Sequence, residues 1–158
     1  MRLAIQEGGH VLTNKAKYGL KALLHMATLP PGESALGAKI AVENAIPKKF
    51  LDTILLDLRN AGLVRTKKGP GGGYALRRSP SDIKVGDIVR ALDGPLAPIG
   101  CASRNAYSPC IDCAEPKSCA VRIAMMRVRD ATAEVLDNLT LAQMADFGDG
   151  QRQFALCI

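Results

Sequence analysis

A chain of 158 residues that is 47% apolar and 4% aromatic, with no Trp, can bury the aliphatic core of one domain plus an appendage without disulfide staples. No apolar run approaches the ~18 residues of a membrane span, and residues 1–12 lack the contiguous apolar stretch of a secretory signal, so a cytoplasmic protein with no membrane partner is expected. The charge of +6 is uneven: residues 1–93 hold 15 Lys and Arg against 8 Asp and Glu, and residues 94–158 hold 6 against 7, a contrast that suits the first part to a polyanion as well as to a merely solvated basic surface.

In chain order, Thr13 is a suitable N-cap for a helix whose apolar positions Ala16, Leu20, Leu23, Leu24 and Ala27 follow the spacing of a buried stripe. Pro30-Pro31-Gly32 ends it. A shorter helix over residues 36–44 is expected to bury Leu36, Ile40 and Ala41. Pro47 then suits the first turn of a third helix, with Phe50, Leu51, Ile54, Leu55 and Leu58 inward and Lys48, Lys49, Asp52 and Arg59 off that stripe. Gly62 is its expected left-handed cap. Two short strands, at residues 63–65 and 73–76, flank Thr66-Lys67-Lys68-Gly69-Pro70-Gly71-Gly72, a hairpin with a basic, glycine-rich tip. A fourth helix over about residues 85–92 closes this part at Asp93-Gly94-Pro95.

Three helices followed by a basic hairpin is the order of a winged helix-turn-helix, so residues 1–93 are read as a DNA-binding domain. Its third helix would meet base edges in the major groove of double-stranded DNA. Lys48 and Lys49 lie on that helix's first turn, where free backbone N–H groups also favour phosphate. At the hairpin tip, Lys67 and Lys68 stand beside Gly71 and Gly72, which let backbone approach phosphate closely. The bland alternative is a small α+β domain with an exposed hairpin. The fold class expected is mainly α with a small β-hairpin wing, followed by a long dimerisation helix.

Residues 94–118 show no helical or strand period and hold three cysteines, so they read as a cysteine-rich loop. Helical period returns over residues 119–137, where Val121, Ala124, Met125, Val128, Thr132, Val135 and Leu136 form an apolar stripe that one winged domain cannot cover. Residues 119–147 are therefore assigned to a dimerisation helix and a packing segment, and a homodimer is expected. Residues 148–158 are expected to be a poorly ordered tail.

Cys101, Cys110, Cys113 and Cys119 fall within 19 residues in the spacing C-x8-C-x2-C-x5-C, and Cys157 stands apart in the tail. Clustered cysteines in a cytosolic chain point to metal or redox chemistry before disulfides. Thiolates ligate iron–sulfur clusters and zinc alike, and thiol–disulfide chemistry stays open. Cys119, at a helix start, is placed where thiolate is favoured. His25 reads as a packed or helix-surface residue, and His10 offers no chemistry. No nucleophile–base set or paired-carboxylate motif stands out, and Gly69-Pro70-Gly71-Gly72-Gly73 lacks the Lys-Ser/Thr ending of a nucleotide loop. An enzyme is not expected.

Three segments resemble the IscR, NsrR and RirA group of winged-helix, iron–sulfur transcriptional regulators. These are Leu12-Thr13-Asn14-Lys15-Ala16-Lys17-Tyr18-Gly19-Leu20, Ile46-Pro47-Lys48-Lys49-Phe50-Leu51-Asp52, and the stretch Ala61-Gly62-Leu63-Val64-Arg65-Thr66-Lys67-Lys68-Gly69-Pro70-Gly71-Gly72-Gly73-Tyr74-Ala75-Leu76. The match runs through residues 12–96 and resumes at the cysteine loop and long helix; the residues before Val11 depart from it. The resemblance implies homodimers on palindromic promoter DNA, gated by an iron–sulfur cluster of the 2Fe–2S or 4Fe–4S type. It also implies recognition-helix roles for Lys48 and Asp52 and wing roles for Lys68 and Gly72. Regulators of that group present three cysteines with a five-residue gap before the helix. Cys113 and Cys119 match that gap, Cys101 is the implied first ligand, Cys110 is an additional candidate, and Cys157 is given no part. The alternatives carried forward are a zinc-stabilised or thiol-redox winged-helix regulator and a zinc-bound interaction module.

Overall fold

The computed structural model describes residues 12–149. Helices α1 (Asn14–Ala27), α2 (Gly37–Glu43) and α3 (Lys48–Asn60) precede strands β1 (Val64–Lys67) and β2 (Gly73–Leu76). Then follow α4 (Val85–Asp93), a long α5 (Ala120–Asn138) and a short α6 (Leu141–Asp149). The fold is mainly helical with one antiparallel hairpin, as the residue pattern predicts.

Local chemistry sets the boundaries. The Thr13 hydroxyl accepts the Ala16 N–H at 3.3 Å, which caps α1. The Thr13 N–H donates to the Asp93 carboxylate at 2.9 Å, so the start of α1 is tied to the end of α4. Between α2 and α3 the chain turns through Ala45, whose φ is +53°. This is left-handed backbone at a residue with a Cβ, held where the Ile46 N–H donates to the Ala41 carbonyl at 2.9 Å. Gly62, at φ +73°, caps α3 as expected.

The core is a single aliphatic cluster. Leu20, Leu23 and Met26 of α1 meet Leu51, Ile54, Leu55 and Leu58 of α3 and Ile88, Val89 and Leu92 of α4. Gly19 allows α1 to approach α4, since a Cβ there would lie 2.2 Å from Leu92 Cδ1. Two expected core members are not inside. Leu36 is 63% exposed because it is the N-cap of α2, with extended backbone that takes it off the helical stripe. Phe50 is 36% exposed; its ring sits at the margin of α3, edge-on to Tyr18 with centroids 5.7 Å apart.

In the hairpin, Val64 pairs with Leu76 and Lys67 with Gly73. A further pairing was not expected: Ala35 and Tyr74 exchange both backbone hydrogen bonds, at 2.9 and 2.8 Å, joining the segment before α2 to the wing. After α5 the chain returns to its own winged domain. The Val85 N–H donates to the Leu139 carbonyl and the Leu141 N–H to the Ile83 carbonyl, each at 2.9 Å. Leu141 is fully buried, and α6, expected only as a packing segment, is a helix that packs beside α1. Gly148 and Asp149 belong to α6; the rest of the expected tail, Cys157 included, lies outside the described residues, as does His10. Among the described residues no helix is long and apolar enough to cross a membrane.

Gly73 has no room for a side chain. Its φ is +145°, and a Cβ would lie 2.3 Å from the Ala35 carbonyl oxygen. Gly73→Ala is expected to cost about 2 kcal/mol through strain and lost pairing, lowering Tm by roughly 6 °C in a circular-dichroism melt. An unchanged Tm would mean that the wing is not pinned to Ala35.

Candidate nucleic-acid interface and cysteine loop

On α3 the buried stripe points inward, leaving Lys48, Lys49, Asp52 and Thr53 exposed. Lys48 and Asp52 form an ion pair one turn apart. At the wing, Lys67, Lys68 and Gly71 are exposed, whereas Gly72 is buried. A Cβ at Gly72 would lie 2.5 Å from the Lys67 carbonyl oxygen, and its N–H donates to the Gly69 carbonyl at 2.8 Å. Gly72 thus shapes the turn that presents the two lysines. The Ser34 hydroxyl donates to the Gly71 carbonyl at 2.7 Å, so the wing tip is tethered twice to the segment leading into α2.

The α2–α3 turn has its own support, which sequence reading missed. Lys21 donates to the Asn44 carbonyl, and Asn44 Nδ2 donates to the Ile40 carbonyl at 2.8 Å. His25 Nδ1 lies 3.3 Å from Asn44 Nδ2 and 3.4 Å from a Glu43 carboxylate oxygen. His25 is therefore a packed residue linking α1 to the turn. The contacts from α1 reach residues 18 to 23 positions away, and no motif signals them.

In the cysteine loop, Cys101 is buried in a 3-10 turn (Gly100–Ala102), Cys110 is exposed, and Cys113 and Cys119 are half-buried. Cys119 is the N-cap of α5. Its sulfur accepts the Arg122 backbone N–H at 3.5 Å, which pulls its pKa below the usual thiol value. Burial pushes the Cys113 thiol up, helped by the neighbouring charge of Cys119. The Cys110 thiol is raised to about 11, first by its hydrogen bond with Cys101. The four thiols thus lie within reach of one another's charge: Cys110 feels Cys101 and Cys113, and Cys113 feels Cys119 and Cys101. As placed they do not enclose a metal or a cluster: among the described residues no three His, Cys, Asp or Glu come together to hold an ion.

Two arginines of α5 carry the loop. Arg122 donates through Nε to the Cys101 carbonyl at 2.8 Å and through Nη1 to the Pro116 carbonyl at 3.3 Å. Its guanidinium stands 6.0 Å from the Tyr107 ring centroid. Arg129, buried, donates to the Ala102 carbonyl and pairs with Asp130 at 2.7 Å; Asp130 also holds Arg104 of the loop at 2.9 Å. The seven-residue spacing of the two arginines was visible in the sequence, but not what they grip. Farther along α5, Asp137 takes a two-pronged bond from Arg90 of α4, at 2.7 and 2.8 Å. That bond holds the Asp137 carboxyl below its ordinary pKa. A cleft of about 630 Å³ lies between α4, the start of the loop and α5.

This geometry has relatives. The family described as Rrf2, iron-dependent transcriptional regulators, matches residues 12–146. The chain is 41% identical over 142 residues to an rrf2-like HTH-type transcriptional regulator of Rhodobacter capsulatus, covering 88% of this chain and 95% of that one. Its fold is similar to the structure of CymR, the global cysteine regulator of B. subtilis, with a TM-score of 0.70 at 34% identity over 86% of this chain and 96% of the other. It is also similar to T. potens IscR, with a TM-score of 0.70 at 28% identity over 91% and 92% of the two chains. The recognition helix, the tethered wing and the family match agree, and the chain belongs to the Rrf2 family of winged-helix, DNA-binding transcriptional regulators.

Proposed function

We propose that the chain works as a homodimer on double-stranded promoter DNA, with affinity set by chemistry at its four clustered thiols. Lys48, Lys49 and Asp52 would read the groove from α3, and Lys67, Lys68 and Gly71 would meet phosphate from the wing, on a turn that Gly72 shapes. The observation that supports this most is the tether of wing to helix-turn-helix through Ala35–Tyr74 and Ser34–Gly71, which makes one body of two basic surfaces. Two copies are needed because Val121, Val128 and Val135 stand 64%, 46% and 64% exposed along α5, a row with seven-residue spacing that the same row of a second copy covers across a two-fold axis.

For the sensor, four free thiols on one loop, with no three side chains gathered to hold an ion among the described residues, support disulfide chemistry best. With hydrogen peroxide as oxidant, the O–O bond breaks, an S–S bond forms between two of the loop cysteines, and the two thiol protons leave in two waters. The CymR relative is described as a cysteine regulator, which fits thiol-linked control. A second reading, an iron–sulfur cluster of either type or a zinc ion held by Cys101, Cys110, Cys113 and Cys119, is favoured by the four-thiol donor set and by the iron-dependent family. It requires at least three of the four sulfurs to draw together around the group.

Anaerobic purification separates the readings. A colourless protein whose four loop thiols fall by two or four with peroxide, and whose DNA affinity shifts on the order of tenfold, is expected for the first. Cys119→Ser should abolish the shift, and Cys157→Ser should leave it intact. A brown protein containing iron and sulfide would establish the second reading in its place. At the wing, Lys67→Ala with Lys68→Ala should reduce the slope of log affinity against log salt by up to ~2, one counterion per lost phosphate contact; an unchanged slope would remove the wing from the interface. Val128→Glu should sediment as a monomer at micromolar concentration and lose tight DNA binding, and a parent that is itself monomeric would refute the dimer.

A further inference from the structure

The inward roll of α3 fixes what its outer side presents. With Leu51, Ile54, Leu55 and Leu58 buried, the residues Lys49, Asp52, Thr53 and Leu56 face outward at the spacing i, i+3, i+4 and i+7, all exposed. That spacing is the one by which a recognition helix lying in the major groove reads successive bases. At 100° per residue Leu56 falls between Asp52 and Lys49, opposite the buried stripe. It is 46% exposed and takes no part in the core cluster. The other exposed apolar residues of α3 reduce to Phe50, which is engaged edge-on with Tyr18.

A leucine at the centre of this polar face has no donor or acceptor to offer a base. The one base edge in the major groove that offers an apolar group is the C5-methyl of thymine. The surrounding side chains Lys48 and Lys49, with Lys67 and Lys68 on the wing, favour a polyanion over an apolar protein surface at this position.

We infer that Leu56 is a specificity-determining residue that packs on a thymine methyl in each operator half-site. The inference rests on the proposed docking of α3 in the groove and names part of what that helix reads. Leu56 lies one turn beyond Asp52, about 6 Å along the helix, so the thymine sits roughly two base pairs from the base that Asp52 meets.

The test uses the full-length dimer and a duplex it enriches from a random DNA pool. Each thymine of the enriched half-site is replaced in turn by uracil, which removes the methyl alone. For the parent protein, one position per half-site should weaken binding ~4-fold, the value of one buried methyl, and ~15-fold when both half-sites are changed. Leu56→Ala, at an exposed position, should keep the fold and bind the thymine and uracil duplexes equally. A parent protein indifferent to uracil everywhere, or a uracil penalty that persists undiminished in Leu56→Ala, overturns the inference while leaving the groove docking intact. A pool that yields no enriched duplex overturns the docking itself, and the inference with it.

Discussion

The burial of one side of α3 is the constraint on which the rest of this structure turns. Leu51, Ile54, Leu55 and Leu58 are all fully buried, each contributing roughly 2 kcal/mol of apolar burial. Rolling the helix by even one residue would put a leucine in water and a lysine or aspartate in the core. The direction of the outward face is thereby set by the buried one. Lys49, Asp52, Thr53 and Leu56 keep their register on the helix whatever contacts they make.

The wing depends on the same arrangement at one remove. Ala35 and Tyr74 exchange backbone hydrogen bonds, and the start of α2 lies against the hairpin, with the Gly37 Cβ position 3.4 Å from the Tyr74 ring. Because α2 packs on α3, the tip lysines keep a fixed offset from the recognition helix. A free hairpin would have to be ordered on binding, with an entropic penalty that the tethers remove beforehand.

Much of this was legible in the residue pattern, where the information is local. Thr13 and Gly62 mark helix ends by side-chain and backbone chemistry that operates within four residues, and the aliphatic period marks α1, α3 and α4. What failed to show is non-local. Leu36 fits the α2 stripe by spacing, yet capping geometry turns it outward. The helix α6 has a local start signal, a capping box in which the Gln143 side chain accepts the Thr140 N–H and the Thr140 hydroxyl accepts the Gln143 N–H, but where it docks follows from Leu139 and Leu141 pairing with Val85 and Ile83, residues more than 50 positions earlier. In the cysteine loop the spacing identified the thiols, but not that Arg122 and Arg129 hold the Cys101 and Ala102 carbonyls against α5. No cysteine count can supply that.

Under the proposed reading, the same two arginines explain how a change at sulfur could reach DNA. Helix α5 is gripped at its start by Arg122 and midway by Arg129. At its end it is fastened to the winged domain by Asp137 on Arg90 and by the pairing of Leu139 and Leu141. Reshaping the loop moves the Cys101 and Ala102 carbonyls, and a buried guanidinium left without its acceptor carries a penalty of about 1–3 kcal/mol. The helix, stiff over its length, relieves that penalty by shifting as a unit, and the winged domain fastened to its far end shifts with it. In a dimer built on α5, such a shift changes the spacing of two recognition helices at once. Half-sites one helical turn apart tolerate little error of that kind, so a modest local change becomes a large change in affinity.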